Sequence, residues 1–224
     1  GAPHLGHALE YVQSDVIARY QRLQGSDVYF LTGSDEHGAK IARSAEKAGQ
    51  APKEFVDDQV GSFLRLLRAL QISNDDFIRT SHQDRHWPGA QLLWKKLSDA
   101  GDIYKGSYQG LYCIGHEAFI TDKDMEGDVC AIHKTTPEQI EEENYFFALS
   151  RYTPRIKEAI RTGEIVILPE TRRNEAMMML EDAGDISFSR PSKDISWGSP
   201  VPNDASATMY VWCDALSNYI SALG

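Results

Sequence analysis

The sequence predicts an α/β protein: a parallel sheet with helices on both faces, interrupted by an inserted domain. Three observations support this fold class. Short β-branched and aromatic runs alternate with helical patterns over the first hundred residues. Near residue 103 the pattern changes to alternating aromatic and polar residues, cysteine-containing turns and an acidic run. A strand-like segment and a helical pattern then end the chain, as expected of a return to the sheet.

The elements of the first part follow from periodicity and from stop signals. A helix is predicted over 8–24, because apolar residues recur at three- and four-residue steps and Gly25 follows as a stop. Strands are predicted at 28–31 and 76–80, and further helices at 39–48, from Pro52 onward and over 84–100.

The second part is predicted to form a separate module. It contains a helical stretch near 153–161, and after it the run 209–212 is strand-like and 214–223 helical. We therefore divide the chain into residues 1–102, an inserted domain at 103–207, and a return strand with a helix start at 208–224.

Composition excludes several classes of protein. With 42% hydrophobic and 25% charged residues, the 224-residue chain has the balance of a globular protein. No run of 18 apolar residues predicts a membrane span, and residues 1–7 lack the pattern of a secretory signal. The net charge of −10 argues against a global basic field for nucleic acid. Three cysteines favour a reduced, cytoplasmic setting over a disulfide framework.

The first candidate site is a His-x-Gly-His segment before the first helix, with His4, Gly6 and His7. A helix N-terminus offers unpaired N–H groups and partial positive charge, which suits phosphate. Glycine permits close approach of the backbone, and imidazole N–H groups can stabilise charge that builds on phosphate oxygens. The alternative is that both histidines only cap the helix and fill a turn.

The second candidate site is residues 33–38, Gly-Ser-Asp-Glu-His-Gly, at the end of the first predicted strand. Ligands of open parallel sheets lie beyond the carboxyl ends of strands. Asp35 could hold an ammonium group there. The alternative is a strand-to-helix turn with acidic capping residues.

On these residues the sequence resembles the class I aminoacyl-tRNA synthetases, and within the class the methionine-specific group. The His-Leu-Gly-His segment is similar to the first class signature, and residues 33–38 are similar to Gly-Thr-Asp-Glu-His-Gly, with Ser34 in place of Thr. Further similar blocks follow in the same order as in the family, at 142–147, 173–175, 187–190, 197–198 and 210–215, with Tyr219 after them.

The resemblance implies a Rossmann-like catalytic domain that joins methionine to ATP and transfers it to tRNA(Met). It implies ATP with Mg²⁺ as substrate and a cytoplasmic location. Residues 1–102 would be the first half of the nucleotide-binding domain and 103–207 the connective insertion. The implied ATP-binding residues are His4, Gly6, His7 and Asp214, with both histidines catalytic. The implied methionine-binding residues are Asp35, Trp212 and Tyr219.

Two Cys-x-x-His pairs, Cys113 with His116 and Cys130 with His133, lie in the predicted insertion. Four such ligands in two turns fit a closed tetrahedral Zn²⁺ site. Similar knuckles occur in the family, usually with cysteine where His116 stands. The alternative is two buried thiols and two surface histidines.

Three other functions remain open at this stage. The first is a synthetase of the isoleucine, valine, leucine or cysteine group, and the second is a small His-x-Gly-His nucleotidylyltransferase. The third is a non-catalytic binding module derived from a synthetase. We also expect the chain to be a catalytic fragment truncated at both ends and incomplete alone, since no second, lysine- and serine-rich signature loop is present.

Overall fold

The structure is a computed structural model that describes residues 2–116 and 118–224. The helices are α1 (Leu5–Leu23), α2 (Ala39–Ala48), α3 (Pro52–Ala69), α4 (Trp87–Asp99), α5 (Thr153–Thr162), α6 (Glu170–Glu181) and α7 (Val211–Ser221). The strands are β1 (Leu31–Ser34), β2 (Asp76–Arg79), β3 (Ile103–Cys113), β4 (Ala118–Ile120), β5 (Met125–Glu126), β6 (Val129–Cys130), β7 (Glu138–Phe147), β8 (Ile186–Ser187), β9 (Ser189–Pro191), β10 (Pro200–Val201) and β11 (Asp204–Met209). Among the described residues, no helix is long and apolar enough to cross a membrane.

The predicted parallel pairing is confirmed by β1 and β2, which lie side by side with Leu31 opposite Asp76. The prediction that the first strand starts at 28 is wrong by three residues. Ladder pairing starts only where β2 begins, and Phe30 is held just before it by the Asp75 carboxylate, which accepts its N–H at 2.6 Å. Both strands end at the same edge, so residues 35 and 80 leave the sheet together.

Helix α2 ends and helix α3 begins where the glycine and proline signals predict. Gly49 adopts a left-handed conformation after α2, and Pro52 occupies the first turn of α3. Helix α4 begins at Trp87, not at 84 as predicted, because hydrogen-bonded turns occupy the preceding residues.

Helix α1 begins three residues before its predicted start, so that His7 lies in its first turn. Its apolar stripe faces outward: Leu5 and Leu23 are each 84% exposed, whereas Asp15 and Ala18 are buried. The regular spacing predicts the helix correctly, but most of the side chains in the stripe are more than half exposed.

The second half of the chain is antiparallel. Strand β3 pairs with β7 from Ile103 opposite Phe147 to Tyr112 opposite Glu138, and the sheet order is β4-β3-β7-β8. A three-stranded sheet has the order β10-β11-β9, and β5 with β6 forms a short hairpin. A cluster of buried side chains joins α4 to these sheets, including Trp94, Ile103 and Met209.

The strand predicted at 209–212 is wrong. Strand β11 ends at Met209 and is antiparallel to β9 and β10, so it does not return to the parallel pair. Val211 and Trp212 begin α7, because their β-branched and aromatic preference is overridden by the tertiary contacts of that helix. The domain limits at 102 and 207 remain predictions.

Gly33 permits the close approach of β1 to β2. A Cβ at this position would lie 2.3 Å from the Ile78 carbonyl oxygen, whereas one at Gly61 on α3 would meet nothing closer than 3.6 Å. We expect Gly33→Ala to lower stability by about 1–3 kcal/mol through overpacking. The matched Gly61→Ala change should raise it by about 0.5–1 kcal/mol. Midpoints of thermal unfolding check both signs, and equal shifts would contradict the packing argument.

Candidate active site

The two histidines of the first motif form a reciprocal cap at the start of α1. His4 is the N-cap residue, and its Nδ1 accepts the backbone N–H of Gly6 at 3.1 Å. The backbone N–H of His4 donates to Nδ1 of His7, also at 3.1 Å. The two ring centroids are 3.8 Å apart. The two histidines therefore cap the helix, as the alternative interpretation expects. They also lie side by side as a pair of imidazoles.

This cap fixes the tautomer of both rings. A backbone N–H can only donate, so Nδ1 of each neutral ring must be the acceptor and the ring proton must lie on Nε2. Burial, and then the neighbouring His4, lower the pKa of His7 below its ordinary value. At neutral pH His7 is thus a neutral imidazole with an Nε2–H available to donate.

In the loop after β1, Asp35 is exposed and is followed by two buried residues. Glu36 and His37 are only 2% and 4% exposed. The backbone N–H of Glu36 donates to Thr80 Oγ1 at 3.0 Å, and that of His37 lies 3.5 Å from the Asp35 carboxylate. The two buried residues therefore fix the backbone that follows the exposed carboxylate.

The Glu36 carboxylate is the centre of a buried polar cluster. Arg79 donates to it twice, at 2.6 and 2.9 Å, and the hydroxyls of Ser34 and Ser81 donate as well. Burial opposes ionisation, but these donors outweigh it and hold the pKa of Glu36 below its ordinary value. The cluster ties the loop to the carboxyl end of β2.

The aromatic candidates lie on one face of α7. Trp212 and Tyr219 are seven residues apart, two helical turns, and both are largely exposed, at 60% and 65%. Leu216 lies between them on the same face, also exposed. Had 209–212 been a strand, as the sequence predicts, this alignment would not arise.

These elements surround one cavity of about 730 Å³. Its walls come from the start of α1, the loop after β1, α3 and α7. Five predicted site residues line it: His4, His7, Asp35, Trp212 and Tyr219. The structure thus gathers side chains that are more than two hundred residues apart in sequence, and both apolar and charged groups line the cavity.

Asp214 does not line this cavity. It is fully buried, and its carboxylate contacts His37 Nδ1 at 2.7 Å, His86 Nε2 at 3.1 Å and the Ser199 hydroxyl at 2.5 Å. Burial opposes its ionisation, but the hydrogen bonds with His37 and His86 outweigh it and lower the pKa of Asp214 to about 2. Both oxygens are occupied within the protein, which argues against the ATP-binding role predicted for Asp214.

A family model described as tRNA synthetases class I (M) matches residues 1–129 and 122–224 of the chain. The chain belongs to the class I tRNA synthetases. The fold class predicted from the sequence is thereby confirmed, as an α/β chain of the class I synthetase type.

Curated relatives and solved structures agree with this synthetase family. Proteins named methionine–tRNA ligase from Brucella melitensis and Rickettsia bellii are each 44% identical, over 100% and 99% of the chain. Mycobacterium tuberculosis methionyl-tRNA synthetase bound by methionyl-adenylate matches all of the chain with a TM-score of 0.92 and 41% identity. The free form of that enzyme matches 99% of the chain with a TM-score of 0.79 and 38% identity.

The synthetase chain described here spans less than half the length of these proteins. It covers 44% and 43% of the two relatives, and 45% and 42% of the two solved chains.

The four predicted metal ligands come together at the tip of the β3 sheet. Their ligating atoms all lie within 4.8 Å of one another, with Cys113 and Cys130 buried and His133 exposed. The Cys130 sulfur is 3.5 Å from Nδ1 of His116, and each sulfur is 3.7 Å from Nδ1 of His133. The two Nδ1 atoms are 3.3 Å apart.

These spacings fit a tetrahedral ion. Zn–S bonds of about 2.3 Å and Zn–N bonds of about 2.0 Å in that geometry put sulfur about 3.5 Å from nitrogen and the two nitrogens about 3.3 Å apart. Burial alone would raise the pKa of the Cys113 thiol, but hydrogen bonds from the backbone and ring of His116 outweigh it and lower that pKa. A thiol inclined to ionise suits a metal ligand.

Sequence reasoning missed the groups that support the site. Thr80 and Ser81 hold the Asp35 loop, and Trp197 donates its ring N–H to the Glu36 carbonyl at 2.5 Å. A signal for the first two was available, because they follow β2 at the same sheet edge as Asp35 follows β1. No local pattern marks His86, whose role depends on the contact between α4 and α7.

Glu36 and Asp57 both pair with Arg79, but the Glu36 side chain is 2% exposed and that of Asp57 is 44% exposed. We expect Glu36→Gln to cost about 3 kcal/mol at pH 7, because Arg79 loses its buried counter-charge. Asp57→Asn should cost less than about 1 kcal/mol.

The Glu36→Gln effect has a defined pH dependence. The lowered pKa of Glu36 means that its stabilisation is present above the ordinary value of 4.5 and is lost as pH falls below it. Denaturant unfolding at pH 7 and pH 4 measures the difference between parent and variant. A difference that grows towards acid pH would contradict the assignment of Glu36 as an ionised group.

Proposed function

We propose that the protein to which this chain belongs is a methionine–tRNA ligase of the cytoplasm. In the first step a methionine carboxylate oxygen attacks the α-phosphorus of ATP, and the bond to pyrophosphate breaks. In the second step the terminal ribose hydroxyl of tRNA(Met) attacks the methionyl carbonyl, and AMP leaves. Mg²⁺ enters with ATP as part of the substrate.

The single observation that supports this proposal is the cavity shared by His4, His7, Asp35, Trp212 and Tyr219. It offers what adenylate formation from an amino acid needs: a carboxylate for an ammonium group, an apolar wall for a side chain, and N–H donors for phosphate.

The start of α1 stabilises the phosphate groups of ATP. Charge on the transferring phosphoryl group rises in the transition state, and pre-oriented N–H donors act best on charge that develops there. The Nε2–H groups of His4 and His7 are such donors, because the cap fixes both rings before substrate arrives. Gly6 keeps the backbone of this turn free of a side chain. Neither histidine has to act as a base.

Asp35 and the aromatic side chains of α7 recognise the amino acid. The Asp35 carboxylate pairs with the substrate ammonium, while Trp212 and Tyr219 form the side-chain wall. Aromatic faces suit a polarizable thioether, with sulfur–aromatic contacts worth about 0.3–1.5 kcal/mol each. A branched or shorter side chain would leave part of this wall without contact.

The other functions have weaker support. The aromatic pair on α7 favours methionine over the isoleucine, valine, leucine and cysteine groups, as do relatives named methionine–tRNA ligase at 44% identity over the whole chain. A small nucleotidylyltransferase has no need of the antiparallel sheets of residues 103–209. A non-catalytic module has no need of an oriented histidine pair beside Asp35.

Exchange of pyrophosphate into ATP tests the proposal. We expect the full-length protein to catalyse exchange that depends on methionine, with isoleucine or valine at least about a hundredfold less effective. Equal exchange with those amino acids would contradict the assigned specificity, and no exchange with any amino acid would favour the binding module.

Two variants separate the steps within that assay. Asp35→Ala should raise the methionine dissociation constant about a hundredfold with ATP binding nearly intact, since a charge-assisted contact is lost. Asp27→Ala, an exposed acid before β1, is the matched control and should bind normally. His7→Ala should lower the exchange rate more than methionine affinity. Unchanged methionine binding by Asp35→Ala would remove Asp35 from the site.

We infer a structural Zn²⁺ at Cys113, His116, Cys130 and His133. The spacings of their sulfur and nitrogen atoms support four-coordinate binding, and no ligand position is left for substrate. When bound, the ion would fix the two turns to each other and take no part in the reaction.

Metal analysis of the purified protein tests the zinc inference. We expect about one equivalent per chain in the parent and in Cys213→Ser, since the Cys213 thiol lies outside the cluster. Cys130→Ser should hold less than about a fifth of an equivalent. A parent protein with less than about a tenth of an equivalent would overturn the inference.

A further inference from the structure

Asp214 joins four segments of the chain through a single carboxylate. It lies on α7, and its partners are His37 from the Asp35 loop, His86 before α4, and Ser199 before β10. All four residues are buried. A buried charge without partners is costly, so these groups must stay together in the folded protein.

The inner face of α7 is held by polar contacts as well as by the packing of Cys213 in the core. Its buried residues are Cys213, Asp214, Ser217 and Ser221, whereas Trp212 and Tyr219 face the cavity. Apolar burial is non-directional, but hydrogen bonds fix distance and angle. The contacts on the inner face of α7 therefore determine the position of Trp212 and Tyr219 in the cavity.

A second contact confirms how closely α7 is held. His86 Nδ1 lies 2.8 Å from the Ser221 hydroxyl, one end of α7, while its Nε2 contacts Asp214 near the other end. Gly89 on α4 lets the helices approach, since a Cβ there would lie 2.5 Å from the Ser221 Cβ. His86 thus braces α7 at two points.

The Asp35 loop is held by the same carboxylate. His37 is two residues after Asp35, and its Nδ1–H donates to the ionised Asp214 carboxylate. Its ring also meets Trp197 edge-on, and Trp197 exchanges backbone and ring hydrogen bonds with residues 36–38. Asp35 and the α7 aromatics, which line the same cavity, are therefore connected through Asp214.

We propose that Asp214 is a positioning residue that sets the distance between Asp35 and the Trp212–Tyr219 wall, and so determines affinity and selectivity for the amino acid. This inference rests on the proposed function. Asp214 touches no substrate. It acts through His37 on the ammonium-binding carboxylate, and through α7 on the side-chain wall.

The Asp214→Asn variant in the full-length protein tests the proposal. Asparagine keeps the shape but replaces one acceptor oxygen by a donor and removes the charge that both histidines face. We expect the KM for methionine in the exchange assay to rise at least about tenfold, and the KM for ATP to change less than about twofold. The preference in kcat/KM for methionine over norleucine, which lacks the sulfur, should fall about fivefold.

Asp102→Asn is the matched control for a purely structural effect. Asp102 is a buried carboxylate bonded to the Tyr152 hydroxyl at 2.5 Å, and it does not line the cavity. We expect its thermal midpoint to fall, with both KM values and the norleucine preference within about twofold of the parent. Ser199→Ala, which removes one hydrogen bond from Asp214, should raise the methionine KM about threefold and serves if Asp214→Asn does not fold.

The outcomes separate this inference from the proposed function. Absence of methionine-dependent exchange in the parent protein would overturn the function itself. Normal exchange in the parent with an unchanged methionine KM in Asp214→Asn, or in Ser199→Ala when only that variant folds, would overturn the positioning role alone. Equal rises in both KM values would also overturn it, since a general loss of structure has that signature.

Discussion

The parallel pairing of β1 with β2 is the constraint on which the rest of the site depends. It brings two carboxyl ends to one edge, so that Glu36 from the first can be bound by Arg79, Thr80 and Ser81 from the second. With Glu36 fixed, its neighbour Asp35 is held at the surface of the cavity. The Asp35 side chain is exposed, whereas Glu36, Thr80 and Ser81, which hold its loop, are buried.

Two sets of buried polar contacts, one around Glu36 and one around Asp214, therefore support the walls of the cavity. Glu36 fixes the Asp35 loop to the sheet, and Asp214 fixes the same loop to α7 through His37. Buried charge is an expensive way to hold a protein together, and an apolar replacement can be more stable. It does, however, specify the geometry of the groups around the cavity, and catalysis by proximity depends on such positioning.

The sequence predicts this fold well where glycine and proline mark the limits of an element. Pro52 and Gly49 mark helix limits that the structure reproduces, and the rule that ligands lie beyond strand ends finds Asp35. It fails at Val211 and Trp212, where β-branched and aromatic preference indicates a strand but tertiary contacts form a helix. The buried role of Asp214 could not be predicted from the sequence either. Its partners lie 177, 128 and 15 residues away, and no local spacing joins them.

Strand β3 separates the metal-ligand cluster from the cavity. It begins at Ile103, within the core shared with α4, and ends at Cys113; eleven extended residues span about 35 Å. The small cluster of Cys113, Ile120 and Cys130 is likewise distinct from the larger core. The tip of this arm thus has a small core of its own, separate from the core that holds α4 and α7. Exchange of one of the four metal-ligand side chains would therefore alter the tip of the arm without touching any residue that lines the cavity.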